Sequence, residues 1–230
     1  MTIEKSDPYT QYAERFNEEN YAIKYDNQFK ASSKSSTFGL KEALGSLVAK
    51  AEIKAVKRNL SGCKVDVIAD IPCGSGKIIK ELDSDSSRIV GVDRSKPMIT
   101  QCRAYTGNSE LLRADVRFLP LKDSSVGVVV CNRFLHRIPP VLHGHTLREI
   151  RRISERHAIL YFAVKTPLTD VIMMLERNLG IGDRGEIFFQ TRKEIRDELT
   201  INGWHIIKQR SVIPWISTGF TVLAEKVPLP

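Results

Sequence analysis

The stretch that most constrains the fold is residues 65–77, where a short apolar run leads into a glycine-rich turn. The run ends at Asp70, and its composition is typical of a buried parallel strand. Gly74 and Gly76 follow, and the sequence predicts that a helix starts at Lys77. Glycine adopts backbone angles closed to other residues and lets a ligand approach the main chain. Open α/β sheets bind nucleotide-like ligands at such strand–turn–helix units, beyond the carboxyl ends of their strands.

Two nucleotide-binding patterns match this turn only in part. A phosphate-binding loop requires a glycine at position 71 and a hydroxyl at position 78, and isoleucine occupies both. A dinucleotide fingerprint starting at Gly74 requires its third glycine at position 79, where the chain has Ile79. The first pattern is therefore excluded, and the second is weakened but stays open.

Residues 70–76 resemble the D-x-G-C-G-[TS]-G motif of class I S-adenosylmethionine-dependent methyltransferases, with Pro72 in place of the first glycine. Residues 88–98 resemble the family's second strand and turn, of the form hydrophobic-G-[VI]-D-x-S-x-x-M. Residues 111–121 resemble its third strand, and residues 126–136 resemble its fourth strand with the L-H ending. Four motifs in the family's order form a specific signal, whereas one glycine turn would be a weak one.

The resemblance implies an α/β fold: a doubly wound, mostly parallel seven-stranded sheet of order 3-2-1-4-5-7-6, with helices on both faces. The predicted strands begin at about residue 65 and then cover 88–93, 110–114, 126–131, 158–164, 204–208 and 218–224, the last two as an antiparallel pair. The predicted helices cover 40–60, 77–82, 97–105, 141–153, 168–179 and a segment after Thr191, which forms a capping box with Glu194. We expect one methyltransferase domain over residues 1–230.

Two segments are predicted to border the substrate. Residues 1–36 are polar with repeated aromatic side chains, which indicates either a helical lid that shields the reaction from water or a helix packed permanently on the sheet edge. Residues 165–190 form the second segment, a substrate-side insertion. The predicted substrate-side residues are Tyr12, Tyr21, Tyr25, Tyr161 and Lys165.

Acidic residues at the predicted strand ends indicate how a nucleoside cofactor is held. Asp93 lies 19 positions after Gly74, close to the spacing at which an acid meets ribose hydroxyls. The resemblance implies that Asp70 orients the turn and the cofactor's ammonium group, and that Asp115 receives the adenine amino group. It implies S-adenosyl-L-methionine as cofactor and S-adenosyl-L-homocysteine as product. The predicted cofactor-binding residues are Asp70, Pro72, Cys73, Gly74, Gly76, Asp93, Arg94, Met98, Asp115, Val116, Asn132 and Arg133.

Histidines are the candidates for proton transfer and metal binding. A base is needed only if the methyl acceptor must lose a proton, and His136 is the best-placed candidate, with a purely structural histidine as the alternative. His143 and His145 have no cysteine or carboxylate at ligand spacing, so we expect an exposed loop and no metal. Gly127 stands where the family usually has aspartate, which affects the expected local packing more than the cofactor site.

Composition sets the broad class. The chain has 230 residues, of which 42% are hydrophobic and 27% charged, as in an ordinary soluble domain. No apolar run approaches the roughly 20 residues of a membrane helix, and the first residues lack a signal peptide's apolar core. These features predict a cytoplasmic protein whose four scattered cysteines are free thiols. The net charge of +8 is compatible with an anionic small molecule and with nucleic acid.

The favoured function is methyl transfer to a small-molecule or lipid-linked acceptor by in-line displacement. The L-P-L and L-H-x-I-P segments resemble the small-molecule branch that includes quinone-biosynthesis methyltransferases. An RNA methyltransferase is the first alternative, and it is less favoured because the N/D-P-P-Y tetrapeptide of amino-directed nucleic-acid methylases does not follow strand four. A nicotinamide-dependent oxidoreductase and a non-catalytic methyltransferase-like scaffold are the others.

Overall fold

A computed structural model describes residues 14, 36–61, 63, 66–82, 88–104, 106, 109–166, 168–171, 174, 187–214 and 218–228. The strands are β1 Val67–Asp70, β2 Arg88–Asp93, β3 Glu110–Arg113, β4 Val126–Cys131, β5 Ser154–Val164, β6 Phe189–Gln190, β7 Trp204–Ser211 and β8 Gly219–Lys226. The helices are α1 Ser36–Leu60, α2 Lys77–Leu82, α3 Lys96–Arg103, α4 His143–Ile153 and α5 Arg192–Ile201. Two 3-10 turns, Leu135–Arg137 and Pro140–Leu142, precede α4.

The strands form one sheet of order β3-β2-β1-β4-β5-β8-β7, with β6 paired to β5. Strands β1 to β5 are mutually parallel, whereas β8 runs antiparallel to β5 and to β7. The predicted fold class and strand order are confirmed. The eighth strand, β6, is an addition to the predicted seven, because two residues are too short to leave a pattern in the sequence.

The central strands are covered on both sides. Successive side chains of a strand point to opposite faces, and in β4 Val129 and Cys131 pack into one core cluster while Val128 and Val130 pack into the other. Every residue of β4 is buried. The sheet is therefore doubly wound, as the resemblance implied.

Local signals fix the helices that border the site. The Ser95 side chain caps α3 by accepting from the Met98 amide, with Pro97 in the first turn. Thr191 and Glu194 form the predicted capping box of α5. Helix α1 begins at Ser36, four residues before the predicted start at residue 40.

Strand β5 is longer than predicted, and its pairing with β4 is irregular. Strand β5 begins at Ser154, four residues before the predicted start, because its polar first residues still pair with neighbouring strands at the sheet's far end. The pairing of β4 with β5 shifts register between Val126 and Val128, so Gly127, the departure from the family's aspartate, sits at an irregularity in the ladder.

Several predictions concern residues outside the described part of the chain. They are the lid in residues 1–36, apart from Glu14 and Ser36, the side chains Tyr12, Tyr21 and Tyr25, and most of the insertion at 165–190. Within the described ranges, no helix is long and apolar enough to cross a membrane.

Candidate functional site

The glycine-rich loop lies at the carboxyl ends of β1, β2 and β4 and is bonded to two of these strands. The Ile71 amide donates to the Val130 carbonyl at 2.9 Å, and the Cys73 amide donates to the Val92 carbonyl at 2.9 Å. The peptide bond before Pro72 is cis. The two hydrogen bonds hold the glycine-rich loop against β4 and β2.

The two loop glycines have different surroundings. Both take positive φ, +53° at Gly74 and +82° at Gly76, which favours glycine. A Cβ added to Gly76 would lie 2.6 Å from the Cys102 Sγ, so this glycine is required by packing against α3. A Cβ added to Gly74 would meet nothing within 4 Å among the described atoms. The Gly74 main chain therefore faces open space, as it must if a ligand approaches there.

Asp93, at the end of β2, fastens the loop from the side. Its Oδ2 accepts from the Gly74 amide at 2.9 Å, and its Oδ1 accepts from the Ser95 amide at 2.8 Å. Burial raises the pKa of Asp93 to about 6, although these backbone N–H bonds favour the charged form. Each carboxylate oxygen has two lone pairs, so the Asp93 carboxylate can still accept from a ligand hydroxyl.

Asp70, at the end of β1, is a buried carboxylate with an unsatisfied oxygen. Its side chain is 1% exposed, and Oδ2 has no hydrogen-bond partner among the described residues. Burial, with a smaller effect of Cys102 and Asp93, raises the pKa of Asp70 well above its usual range. An unpaired buried carboxylate is costly, and a cation beside it would remove much of that cost.

Asp115 follows β3 and is held by arginines. Arg117 donates to it through Nε at 3.1 Å and through Nη2 at 3.0 Å, and Arg94 Nη1 lies 3.8 Å from Oδ2. Met98 and Val116 are buried at 2% and 4% exposure, each within the packed interior. Arg117 was not among the predicted residues, although its partner Asp115 stands only two positions before it in the chain.

The end of β4 brings a second group together. Asn132 Oδ1 is buried without a partner among the described residues. Arg133 adopts a left-handed backbone with φ +55°, a strained conformation for a non-glycine residue. Its guanidinium lies 3.7 Å from the Glu52 carboxylate, which is buried on α1 and also accepts from the Tyr161 hydroxyl. Burial and Glu52 raise the pKa of Tyr161.

Sequence patterns gave no sign of Glu52, because it sits in the middle of an amphipathic helix where an acid normally faces solvent. Its ion pair places the Arg133 guanidinium beside the carboxylate that Tyr161 also contacts.

His136 lies in the 3-10 turn after β4 and is 4% exposed. Its ring packs on Tyr161 with centroids 4.9 Å apart, and Nδ1 has no partner among the described residues. Burial and the charges of Arg137 and Arg133 hold the pKa of His136 well below its usual range. The ring is therefore neutral at pH 7.

Other predicted residues have simpler surroundings. Lys165 is exposed and paired with Asp170 at 3.3 Å. Cys63, Cys73, Cys102 and Cys131 are free thiols, as predicted. The prediction of an exposed loop at His143 is wrong: His143 is fully buried in the first turn of α4, and only His145 is exposed. The described residues contain no group of three or more side chains that could hold a metal ion.

The residues present fit a cationic nucleoside. Asp70 offers an unsatisfied carboxylate oxygen beside the open face of Gly74, and Asp93 offers acceptor positions next to it. Ile79 also argues against a dinucleotide: it is fully buried and packs on Gly91 of β2, where an added Cβ would come within 2.6 Å of its Cδ1. In a dinucleotide-binding loop the third glycine lets the helix approach the strand closely. Here Gly91 of β2 provides that close approach to α2.

Residues 69–162 match the family model of the methyltransferase domain. This match covers 94 of the 230 residues and supports a class I, S-adenosylmethionine-dependent methyltransferase domain within this chain. A carboxy-S-adenosyl-L-methionine synthase of Actinobacillus pleuropneumoniae serotype 3 is 26% identical to it over 135 residues, which are 50% of this chain and 55% of that protein. The chain thus spans about half the length of the curated relatives that it matches.

Solved structures share the fold of this methyltransferase domain over nearly the whole chain. The magnesium protoporphyrin IX methyltransferase of Synechocystis PCC 6803, with bound S-adenosylhomocysteine, has a TM-score of 0.72 at 17% identity, covering 95% of this chain and 99% of that one. The 1,6-didemethyltoxoflavin-N1-methyltransferase of Burkholderia thailandensis has a TM-score of 0.65 at 12% identity, covering 99% and 94%. At these identities the likeness is one of fold.

Proposed function

We propose that the whole protein transfers a methyl group from S-adenosylmethionine to a small-molecule or lipid-linked acceptor. The observation that carries the proposal is the buried Asp70 carboxylate, whose free oxygen lies at the carboxyl end of the central strand beside the glycine loop. A ligand that brings a positive charge next to this carboxylate offsets the free-energy cost of burying it without a partner. The methionyl ammonium group of the cofactor is such a charge.

The remaining cofactor contacts follow from the positions of the strand ends. Asp93 binds the ribose hydroxyls, since it stands beside Gly74 with lone pairs to spare. Asp115, with Arg94, lies at the next strand end along the sheet and contacts the adenine. Val116 and Met98 line that end from the interior, and Pro72, Cys73, Gly76 and Asn132 complete the wall around the methionyl arm.

His136 is proposed as the base that takes a proton from the acceptor. The bound cofactor supplies an activated methyl group, so alignment of the acceptor provides much of the rate. An acceptor hydroxyl or amine that donates to His136 Nδ1 would satisfy the atom that lacks a partner and pass its proton there. Tyr161 holds the ring in place by packing against its face.

The small-molecule class is favoured by two of the structural neighbours, which are named for protoporphyrin and toxoflavin substrates. Within the small-molecule class, the L-P-L and L-H-x-I-P segments favour the branch that includes quinone-biosynthesis methyltransferases. Methylation of RNA is the second candidate, and the net charge of +8 is the observation that favours it. A scaffold role is a third.

The function is tested by incubating the full chain with S-adenosylmethionine and matched acceptors, and measuring S-adenosylhomocysteine formation. The panel contains phenolic and carboxylic metabolites, their methylated counterparts as controls, and total RNA. We expect turnover with a small molecule and none with RNA. Turnover with RNA alone would replace the acceptor class, and cofactor binding without turnover on any acceptor would favour the scaffold.

His136→Ala tests the proposed base. We expect S-adenosylhomocysteine affinity to stay within about twofold and turnover to fall by about 100-fold or more, in the range typical of general-base catalysis. Because the pKa of His136 is lowered, the acid limb of the wild-type rate profile should lie below pH 6.5, where an ordinary histidine would already be protonated. Unchanged turnover in the variant would assign His136 a structural role.

A further inference from the structure

Glu52, in the middle of α1, is a buried acid on a helix face that is otherwise packed into the core. Ala55 and Val56, one turn further along the same face, are buried with it. A carboxyl group on such a face costs free energy unless polar groups surround it. Glu52 therefore needs partners from outside its own helix, and two lie at the ends of neighbouring strands.

The two partners come from the carboxyl ends of β4 and β5. Cys131 and Leu160 form the last pair between these strands. Arg133 lies two positions after Cys131, and its Nη1 is 3.7 Å from Glu52 Oε2. Tyr161 directly follows Leu160, and its hydroxyl donates to the Glu52 carboxyl group. Glu52 therefore joins α1 to both strand ends.

The backbone of Arg133 depends on its surroundings. Its φ of +55° lies in the left-handed region, which is strained for a residue other than glycine. Such a conformation persists only where the contacts around it over-determine it. Because the guanidinium stays charged in proteins, an acidic side chain beside it favours this conformation. Glu52 provides that side chain.

Tyr161 connects Glu52 to the proposed base. The Tyr161 side chain is buried, and its ring packs on the His136 ring with centroids 4.9 Å apart. A buried tyrosine hydroxyl usually has a hydrogen-bond partner, and here that partner is Glu52. The position of the Tyr161 ring, and with it the packing of His136, therefore depends on Glu52.

We propose that Glu52 is a positioning residue for methyl transfer, which holds Arg133 and Tyr161 in place at the strand ends. Through Tyr161 it fixes the surface on which the His136 ring packs. The proposal rests on the proposed function only for the role of His136 as the base. A buried acid with such partners specifies one geometry more than it adds stability, because desolvation offsets much of the attraction.

The first test is proton NMR of the full chain, without cofactor or acceptor. The Tyr161 hydroxyl resonance is identified by its loss in Tyr161→Phe, which keeps the ring. Glu52→Gln retains an oxygen that accepts from this hydroxyl, whereas Glu52→Leu has none. We expect the hydroxyl proton to exchange with water about tenfold faster or more in Glu52→Leu, and near the wild-type rate in Glu52→Gln. Equal exchange in the wild type and in Glu52→Leu would overturn the proposal.

The second test is turnover in the same variants. We expect kcat to fall by about tenfold or more in Glu52→Leu and by less in Glu52→Gln, with S-adenosylhomocysteine affinity within about twofold of the wild type in both. Adding Tyr161→Phe to Glu52→Leu should lower kcat little further, because both changes remove the same contact. Losses that multiply in the double variant would contradict the proposal, since a side chain that only fills space acts independently of the Tyr161 hydroxyl.

Glu81→Gln is the matched control. Glu81 is a half-exposed acid that pairs with Lys57 of the same helix at 3.2 Å. Its replacement should change neither the exchange of the Tyr161 hydroxyl nor kcat. If the wild-type protein forms S-adenosylhomocysteine with no acceptor, the proposed function fails, while the hydroxyl exchange in Glu52→Leu still decides whether Glu52 holds Tyr161.

Discussion

At the scale of single residues, Asp93 accepts hydrogen bonds from two backbone amides of the loop, and the same carboxylate is the one that we propose binds the ribose hydroxyls. Asp93→Ala should weaken S-adenosylhomocysteine binding by more than about tenfold, or about 1.4 kcal/mol. Calorimetric titration measures this, with Asp66→Ala, an exposed acid just before β1, as the control. Near-unchanged affinity would show that Asp93 does not face the ribose.

The raised pKa of Asp93 makes a second prediction, for the pH dependence of binding. Above about pH 7 the carboxylate is charged and affinity should be constant; as pH falls through about 6 it gains a proton, and affinity should fall. Asp70 acts in the same direction, since its charged form is the one that binds an ammonium group. Titrations between pH 5 and 8 measure the slope, and a pH-independent affinity would contradict both assignments.

The residues that the sequence identified and those it missed differ in kind. The positions of Asp70, Gly74 and Asp93 at the strand ends and in the glycine turn were predictable, because all three lie in one continuous strand–turn–strand segment. The contacts of Glu52 and His143 were not, because their partners lie elsewhere in the chain and leave no local pattern.

At the scale of elements, the two glycines of the loop have different roles: Gly76 packs against α3, whereas Gly74 leaves space for the proposed ligand. Gly76→Ala should destabilise the protein by about 2–3 kcal/mol, because it combines a positive φ with a clash against Cys102. Gly74→Ala should cost only about 1 kcal/mol from its positive φ, yet weaken S-adenosylhomocysteine binding strongly, since the added methyl group fills the open face. Thermal unfolding with and without the ligand separates the two effects. Equal loss of stability in both variants would contradict this division.

The elements themselves were predictable wherever one pattern dominated. Helix α2 and strands β2 and β4 have the predicted bounds, because buried apolar runs with clear stop signals leave few alternatives. Strand β5 is longer than predicted, because its polar first residues become extended only through pairing with neighbouring strands. Strand β6 was not predicted, because two residues are too few to show a strand pattern in the sequence.

At the scale of the whole molecule, most of the proposed cofactor contacts lie at or just beyond the carboxyl ends of β1 to β4, whereas the proposed base His136 follows β4 and packs on Tyr161 of β5. The strands of the first half follow the sequence prediction, because the family's four motifs all fall within them. The acceptor half depends on segments that share no motif, so the acceptor's identity follows from experiment.

The measurement that tests the central claim most directly is calorimetric titration of the full chain with S-adenosylhomocysteine and, in parallel, with NADPH. We expect S-adenosylhomocysteine to bind with a dissociation constant of about micromolar order and NADPH not to bind, because Asp70 and the open face of Gly74 suit a cationic nucleoside and Ile79 fills the place of a third glycine. Binding of NADPH without S-adenosylhomocysteine would contradict the assignment of this site.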